Sequence, residues 1–256
     1  MQAVILAGGR GTRISEESLL RPKPLIEIGE RPIIWHIMKI YSYHGINEFI
    51  ICCGYKGELI KEYFSNFGLY SSDMTIQVKS NKITFHKKNF ENWKITLIDT
   101  GSETQTGGRL KQVKNYLKNT FCFTYGDGVS DVNIKKTIEF HKKSKKIATM
   151  TVVQPAGRFG AVKIKKNLVD KFLEKPAGDG GWINGGFFVL DKKSLNYIKD
   201  NYTKWEQEPL KNLSKQNQLA SFKHKGFWHP MDTIRDKEYL EEEWRKPNCP
   251  WKKWNV

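Results

Sequence analysis

Three glycines follow a short apolar run almost at the start of the chain: Ala3-Val4-Ile5-Leu6-Ala7, then Gly8-Gly9-Arg10-Gly11-Thr12-Arg13. The run over residues 2–6, ending at Gly8, suits a strand buried in a parallel sheet. Glycines directly after it let the backbone approach a ligand, and exposed N–H groups there can cradle phosphate oxygens. Two familiar phosphate loops do not fit. A Walker loop would end in Gly-Lys-Ser/Thr, and the dinucleotide fingerprint fails because Ile14 takes the third glycine position after Gly9 and Gly11. What remains is Gly-Gly-x-Gly-Thr-Arg, with Arg13 able to neutralise phosphate charge bidentately.

The rest of the chain alternates in the same manner. Helical spacing of Ile34, Ile37, Met38 and Tyr41 predicts a helix over 32–44, bounded by Pro32 and Gly45. Strands are predicted at 49–53, 95–98, 121–125 and 148–153, with helices at 57–67, 108–117 and 132–143 between them. A hairpin is predicted at 74–78 and 83–86. The second half is richer in strand, at 161–164, 169–174 and 185–190, followed by helices at 192–201, 206–216 and 233–245. Such alternation predicts a single α/β domain, Rossmann-like, with a mixed, mostly parallel central sheet and β-rich additions. Ligands in such sheets bind outside the carboxyl ends of strands, so the loops after Leu6, Cys53, Tyr125 and Val153 are where a site is expected.

Composition excludes other classes. The 256 residues are 39% hydrophobic and 27% charged, ordinary for a globular chain. Purely apolar stretches such as 3–7 and 49–53 fall far short of the roughly 18 residues of a membrane span. No basic segment precedes the first apolar run, so it is not a signal peptide, and a soluble, cytoplasmic protein is expected. Four cysteines, Cys52, Cys53, Cys122 and Cys249, show no C-x-x-C spacing and predict reduced, buried thiols. The net charge of +16 invites a nucleic-acid partner, but its lysines are scattered over amphipathic segments without an aromatic or zinc-finger motif. A small anionic substrate is the sharper expectation, and no nucleic acid or membrane partner is predicted.

About ten residues beyond the glycine loop comes Arg21-Pro22-Lys23-Pro24-Leu25, where two prolines hold the backbone around one lysine. The series Ala-Gly-Gly-x-Gly-Thr-Arg, Pro-Lys-Pro and then Arg31-Pro32 before a helix resembles the N-terminal signature of the sugar-1-phosphate nucleotidyltransferases. Thr106-Gly107-Gly108-Arg109, Tyr125-Gly126-Asp127-Gly128, Glu174-Lys175-Pro176, Asn184-Gly185-Gly186-Phe187-Phe188 and the stretch from Gly226 to Thr233 continue that resemblance in order along the chain. Ile14-Ser15-Glu16-Glu17 replaces the family's more usual Leu-x-Pro-x-Thr. Ile34-Trp35-His36-Ile37-Met38, the stretch Ile51 to Gly57 and Trp205-Glu206-Gln207-Glu208-Pro209 look like the cytidylyl-transferring branch.

The resemblance implies one nucleotidyltransferase domain over 1–256, with a nucleotide-binding half over about 1–130, a sugar-phosphate-binding half over about 131–246 and a tail at 247–256. It implies CTP and a sugar 1-phosphate, glucose 1-phosphate in particular, as substrates, and a homo-oligomer, a hexamer in the family. The chemistry it implies joins two polyanions: an already ionised sugar phosphate attacks the α-phosphorus of a nucleotide. Such catalysis rests on positioning and charge neutralisation, and calls for carboxylates, Arg and Lys instead of a nucleophilic Ser, Cys or His. Arg13 and Lys23 are then expected to be catalytic. Leu6, Ala7, Gly8, Gly9, Arg10, Gly11, Thr12, Thr106, Arg109 and Gly126 are expected at the nucleotide, and Glu174, Lys175, Asn184 and Gly185 at the sugar phosphate. Asp127, set between two glycines at a strand's carboxyl end, and Asp232 are expected to hold Mg2+ with help from substrate phosphates. Read by itself, Asp232 equally suits the N-cap of the helix beginning at Thr233. The rival readings are another NTP or sugar 1-phosphate in the same site, or an inactive nucleotide-sugar-binding regulatory subunit, which would not need these carboxylates.

Overall fold

The N-terminal apolar run becomes a central strand whose side chains alternate between two buried layers. In a computed structural model that describes residues 1–86, 90–155, 157, 161–174 and 181–254, and of residues 13, 15, 16 and 70 the backbone alone, seven strands form one sheet. They are β1 (Ala3–Ala7), β2 (Glu48–Cys53), β3 (Lys94–Asp99), β4 (Thr120–Tyr125), β5 (Ala148–Val153), β6 (Ile183–Asp191) and β7 (Leu219–Lys223). Their spatial order is β7-β5-β6-β4-β1-β2-β3, and β6 runs against both of its neighbours while the other pairs are parallel. The sheet is mixed and mostly parallel, as expected.

Period-two alternation sends Ala3, Ile5 and Ala7 to one face and Val4 and Leu6 to the other, and all five are buried. Cys52 and Cys53 on β2 separate in the same way. On the first face lie α1 (Ile33–Tyr43), α2 (Gly57–Ser65), α4 (Ile134–Ser144) and α6 (Ile234–Arg245), through Ile37, Ile60, Ile134 and Leu240. On the second lie α3 (Thr106–Gln112) and α5 (Glu208–Lys215), through Leu110 and Leu213. The four cysteines are buried and free of disulfides.

The tail is a strap on its own chain. Trp251 is fully buried, stacks on Phe227 and Trp244 with ring centroids 5.4 and 6.0 Å away, and its indole N–H donates to Nδ1 of His36 at 3.4 Å. This explains why α1 is buried nearly all round: the sheet covers one side and the indoles the other.

Three expectations need correction. Residues 192–201 do not form an α-helix but a tighter 3-10 segment, Lys192–Tyr197. Asp200 accepts from the Tyr202 N–H and the Thr203 hydroxyl, closing an Asx turn that competes with helix. The helix expected at 108–117 starts earlier and stops at Gln112, followed by a 3-10 turn at Lys114–Tyr116. Strand β7 and a two-stranded pairing of Gly128–Ser130 with Trp228–Pro230 lie where no strand is predicted. The hairpin at Ala161–Lys165 and Leu168–Leu173 forms, but nearly all of it is exposed.

Candidate active site

The parallel register aligns Leu6 with Cys52 and with Tyr125, so the loops after β1, β2 and β4 open at one edge of the sheet. A cavity of about 750 Å3 lies there. Its lining includes Leu6 to Thr12, Lys23, Thr106, Arg109, Gly126, Asp127, Asn184, Gly185 and Asp232. Glu174, just after the exposed hairpin, is not among the lining residues, while Lys175 and the side chain of Arg13 lie outside the described residues; the Arg13 backbone sits in the turn Thr12–Ile14.

Lys23 stands in the cavity wall between two carboxylates. Pro22 enters an extended conformation and the chain turns at once through Lys23–Leu25, closed by Leu25 N–H to Pro22 O at 2.8 Å. The lysine is 8% exposed, and its ammonium donates to Asp127 Oδ2 and to Asp232 Oδ1, both at 2.7 Å. Burial alone would lower its pKa, but the two carboxylates, Asp127 foremost, outweigh that and hold it above the ordinary lysine value. Asp127 reaches this point because Gly126 packs against β1, where a Cβ would stand 2.6 Å from Leu6 O.

Asp232 arrives through the small sheet. Pairing of Pro230 with Gly128 and a bond from Met231 N–H to Asp127 O at 2.8 Å draw the two aspartates together. Asp232 does not cap α6. Thr233 is the N-cap, in a capping box with Asp236, so the Asp232 carboxylate turns to Lys23. Two hard oxygen donors thus converge from separate loops on one cationic group. Two carboxylates are the oxygen donors a divalent ion takes when phosphates and water complete its shell; among the described residues there is no cluster of three or more His, Cys, Asp or Glu.

The glycine loop is held from behind. Arg109, on α3 and 4% exposed, donates to the carbonyls of Cys53, Gly101, Gly8 and Ser102 and to the Thr100 hydroxyl, at 2.6–3.2 Å. A Cβ on Gly8 would stand 2.2 Å from this guanidinium, and one on Gly54 would stand 2.4 Å away. These two glycines therefore make room for Arg109, while Gly9 has nothing within 4 Å of its Cβ position and Gly11 uses a left-handed φ of +65°. Expected at the nucleotide, Arg109 has most of its donors committed to the loops. Within the cavity wall, Arg10 pairs with Glu103.

Tyr125 and Trp228, to which sequence reasoning assigned no role, also line the wall, and Glu206 braces it. The Tyr125 hydroxyl donates to Glu206 Oε1 and the Thr106 hydroxyl to Glu206 Oε2, each at 2.6 Å. Asn184 donates to the Tyr125 oxygen at 3.4 Å, and its own carbonyl accepts from Gly186 N–H at 2.8 Å, which fixes the amide's orientation. Trp228 donates its indole N–H to Gly185 O at 2.7 Å. Tyr125 and Glu206 both stood inside quoted motifs; that was the available signal. A Ser/His/Asp grouping also exists, at Ser130, His224 and Asp131. One ring nitrogen of His224 faces both partners, at 3.2 and 3.0 Å, so the two-nitrogen relay of a serine nucleophile is not built. Burial pushes the Cys53 thiol up to about 11 and that of Cys122 to about 12, far from a reactive thiolate.

Among the described residues no helix is long and apolar enough to cross a membrane. The chain is 57% identical over 256 residues to the glucose-1-phosphate cytidylyltransferase of Salmonella typhimurium, covering 99% of this chain and 100% of that protein. It is 43% identical to a Bacillus subtilis protein named "Probable glucose-1-phosphate cytidylyltransferase", again over 99% and 100%. The solved structure of HddC from Yersinia pseudotuberculosis, complexed with GMP-PN, shares the fold with a TM-score of 0.69 at 23% identity, over 95% of this chain and 99% of that one. The profile of the family described as Nucleotidyl transferase matches residues 2–236, and with the match reaching from the glycine loop past both aspartates, the chain belongs to the nucleotidyl transferase family.

Proposed function

We propose that this chain transfers a cytidylyl group from CTP to α-D-glucose 1-phosphate, giving CDP-glucose and pyrophosphate. Full-length likeness to curated glucose-1-phosphate cytidylyltransferases supports the substrates. The observation that carries the chemistry is the seating of the Lys23 ammonium between Asp127 and Asp232 in the cavity wall, beside the glycine loop.

A phosphate oxygen of glucose 1-phosphate forms a bond to the α-phosphorus of CTP as the bond from that phosphorus to the bridging oxygen breaks, and pyrophosphate leaves with the electron pair. No proton needs to move at the reacting atoms, because the attacking phosphate is ionised. The backbone of Gly8 to Thr12 lies where it can receive the nucleotide's phosphates, and Arg13 belongs to the same loop. Lys23 supplies positive charge where negative charge shifts in the transition state. Asp127 and Asp232 would hold Mg2+, which when bound neutralises phosphate charge and polarises the reacting phosphorus. Asn184 and Gly185, also in the cavity lining, would receive the sugar phosphate. Glu174 and Lys175, on the family pattern, would join them at the sugar phosphate. A homo-oligomeric, cytoplasmic enzyme making a sugar nucleotide for bacterial surface polysaccharide fits this reaction. Pyrophosphate release from CTP, dependent on glucose 1-phosphate and on a divalent ion, tests the assignment.

A further inference from the structure

Glu206 stands apart from the charged centre, exposed on the turn that precedes α5, yet its two carboxylate oxygens hold two residues of the cavity wall. Thr106 begins α3 and Tyr125 ends β4, so the carboxylate ties together elements on which the wall is built. The backbone around it is docked with equal care. Gly107 and Gly108 have no room for a side chain, since Cβ atoms there would stand 2.7 Å from Thr203 O and 2.4 Å from Asn201 O. Trp205, fully buried in the second core layer, donates its backbone N–H to the Thr106 hydroxyl at 2.9 Å. Glu206 is thereby presented to its partners by a fixed segment, although its own side chain is open to solvent.

The consequence is one of hydrogen-bond polarity. An ionised carboxylate only accepts, and a hydroxyl has a single proton. Tyr125 and Thr106 both spend that proton on Glu206, at 2.6 Å, a short charge-assisted geometry. The Tyr125 oxygen also accepts from Asn184 at 3.4 Å and the Thr106 oxygen from the Trp205 N–H at 2.9 Å, so what either hydroxyl can still offer a bound molecule is its remaining lone pair. The wall is set to accept, and it selects for a ligand that donates.

We propose that Glu206 is a positioning residue that fixes the Tyr125 and Thr106 hydroxyls as acceptors, so that the cavity reads a hydrogen-bond donor of the substrate. The proposal rests on the reaction above for the identity of the substrates. Two sources supply such donors: the hydroxyls of glucose 1-phosphate, and the amino group or ribose hydroxyls of CTP.

Glu206→Gln tests this without changing shape. The amide has one donating end, so one hydroxyl must reverse and point its proton elsewhere. Steady-state kinetics on the full chain are expected to show the KM of one substrate raised about tenfold, the cost of one mismatched hydrogen bond, with kcat within about threefold and Tm unchanged. A rise confined to glucose 1-phosphate names the sugar hydroxyls as the donor, and a rise confined to CTP with weakened preference over UTP names the nucleoside. Glu206→Asp keeps two acceptors and should recover part of the loss. Tyr125→Phe together with Glu206→Gln should cost less than the two single effects added, if one acts through the other. Both KM values within about twofold of the parent would overturn the proposal, as would a loss of kcat that tracks a drop in Tm. Calorimetric binding of CTP and of glucose 1-phosphate gives the same comparison independently of turnover. A parent that does not turn these substrates over sinks the reaction assigned above, whereas an active parent with an indifferent Glu206→Gln sinks only this inference.

Discussion

Lys23 and Asp232 are 209 residues apart in the chain, and Nζ of one lies 2.7 Å from Oδ1 of the other. With Asp127 on its second side, the ammonium is held in the cavity wall by the same two carboxylates assigned to the metal. Removing a preplaced cation from such a site typically costs about a hundred- to a thousand-fold in rate. Lys23→Ala is therefore expected to lower kcat by that factor, and Lys23→Arg to recover only part, because a planar fork does not replace a compact charge. Turnover of Lys23→Ala within about threefold of the parent would make the residue a surface strap.

Both carboxylates are expected to be needed for the metal. Asp127→Asn and Asp232→Asn keep the side-chain volume but remove the charge a divalent ion requires. Each should abolish most Mg2+-dependent turnover and weaken Mn2+ binding followed by electron paramagnetic resonance, with circular dichroism unchanged. Near-normal metal binding in either variant would remove that residue from the metal site.

Gly8→Ala places a methyl group against the Arg109 guanidinium, where the Cβ position is 2.2 Å from Nη1. The buried arginine has nowhere to go without releasing five acceptors. Overpacking of this kind costs about 1–3 kcal/mol. Urea denaturation should show a loss in that range, with a raised KM for CTP as the glycine loop shifts.

Acid should destabilise the protein through His36. Burial lowers its pKa to about 4, and both of its neighbours suit the neutral ring: Nε2–H donates to Ile28 O at 2.8 Å, and Nδ1 accepts from Trp251. The folded value lies below the unfolded value of about 6.5, so the contribution is present above that pH and is lost as pH falls toward 4. The difference corresponds to about 3 kcal/mol. Stability measured from pH 7 to pH 4 should fall less steeply in a His36→Gln variant than in the parent.

How much of this was legible in the sequence depends on the range of the interactions. Strands β1, β2 and β4 declared themselves because both of their faces are buried and their apolar runs end in glycine. Lys23 and Asp127 stood out for a similar local reason, prolines around one and glycines around the other. The pairing of Gly128–Ser130 with Trp228–Pro230 did not, since three-residue strands about a hundred positions apart carry no periodicity. Asp232 consequently read equally as a helix cap until Thr233 was seen to take that place. Glu206 was silent for the same reason: its meaning lies in hydroxyls 81 and 100 residues away. Glycines at 8 and 54 and Arg109 were all visible, but that the glycines make room for the arginine was not.

The most direct test of the assigned reaction is pyrophosphate release by the full chain in Mg2+, with glucose 1-phosphate and each of CTP, UTP, dTTP and GTP in turn. The expected result is the highest kcat/KM with CTP, release that depends on the sugar phosphate, and CDP-glucose as the second product. Faster turnover with UTP or dTTP than with CTP, or no release from CTP at all, would contradict it.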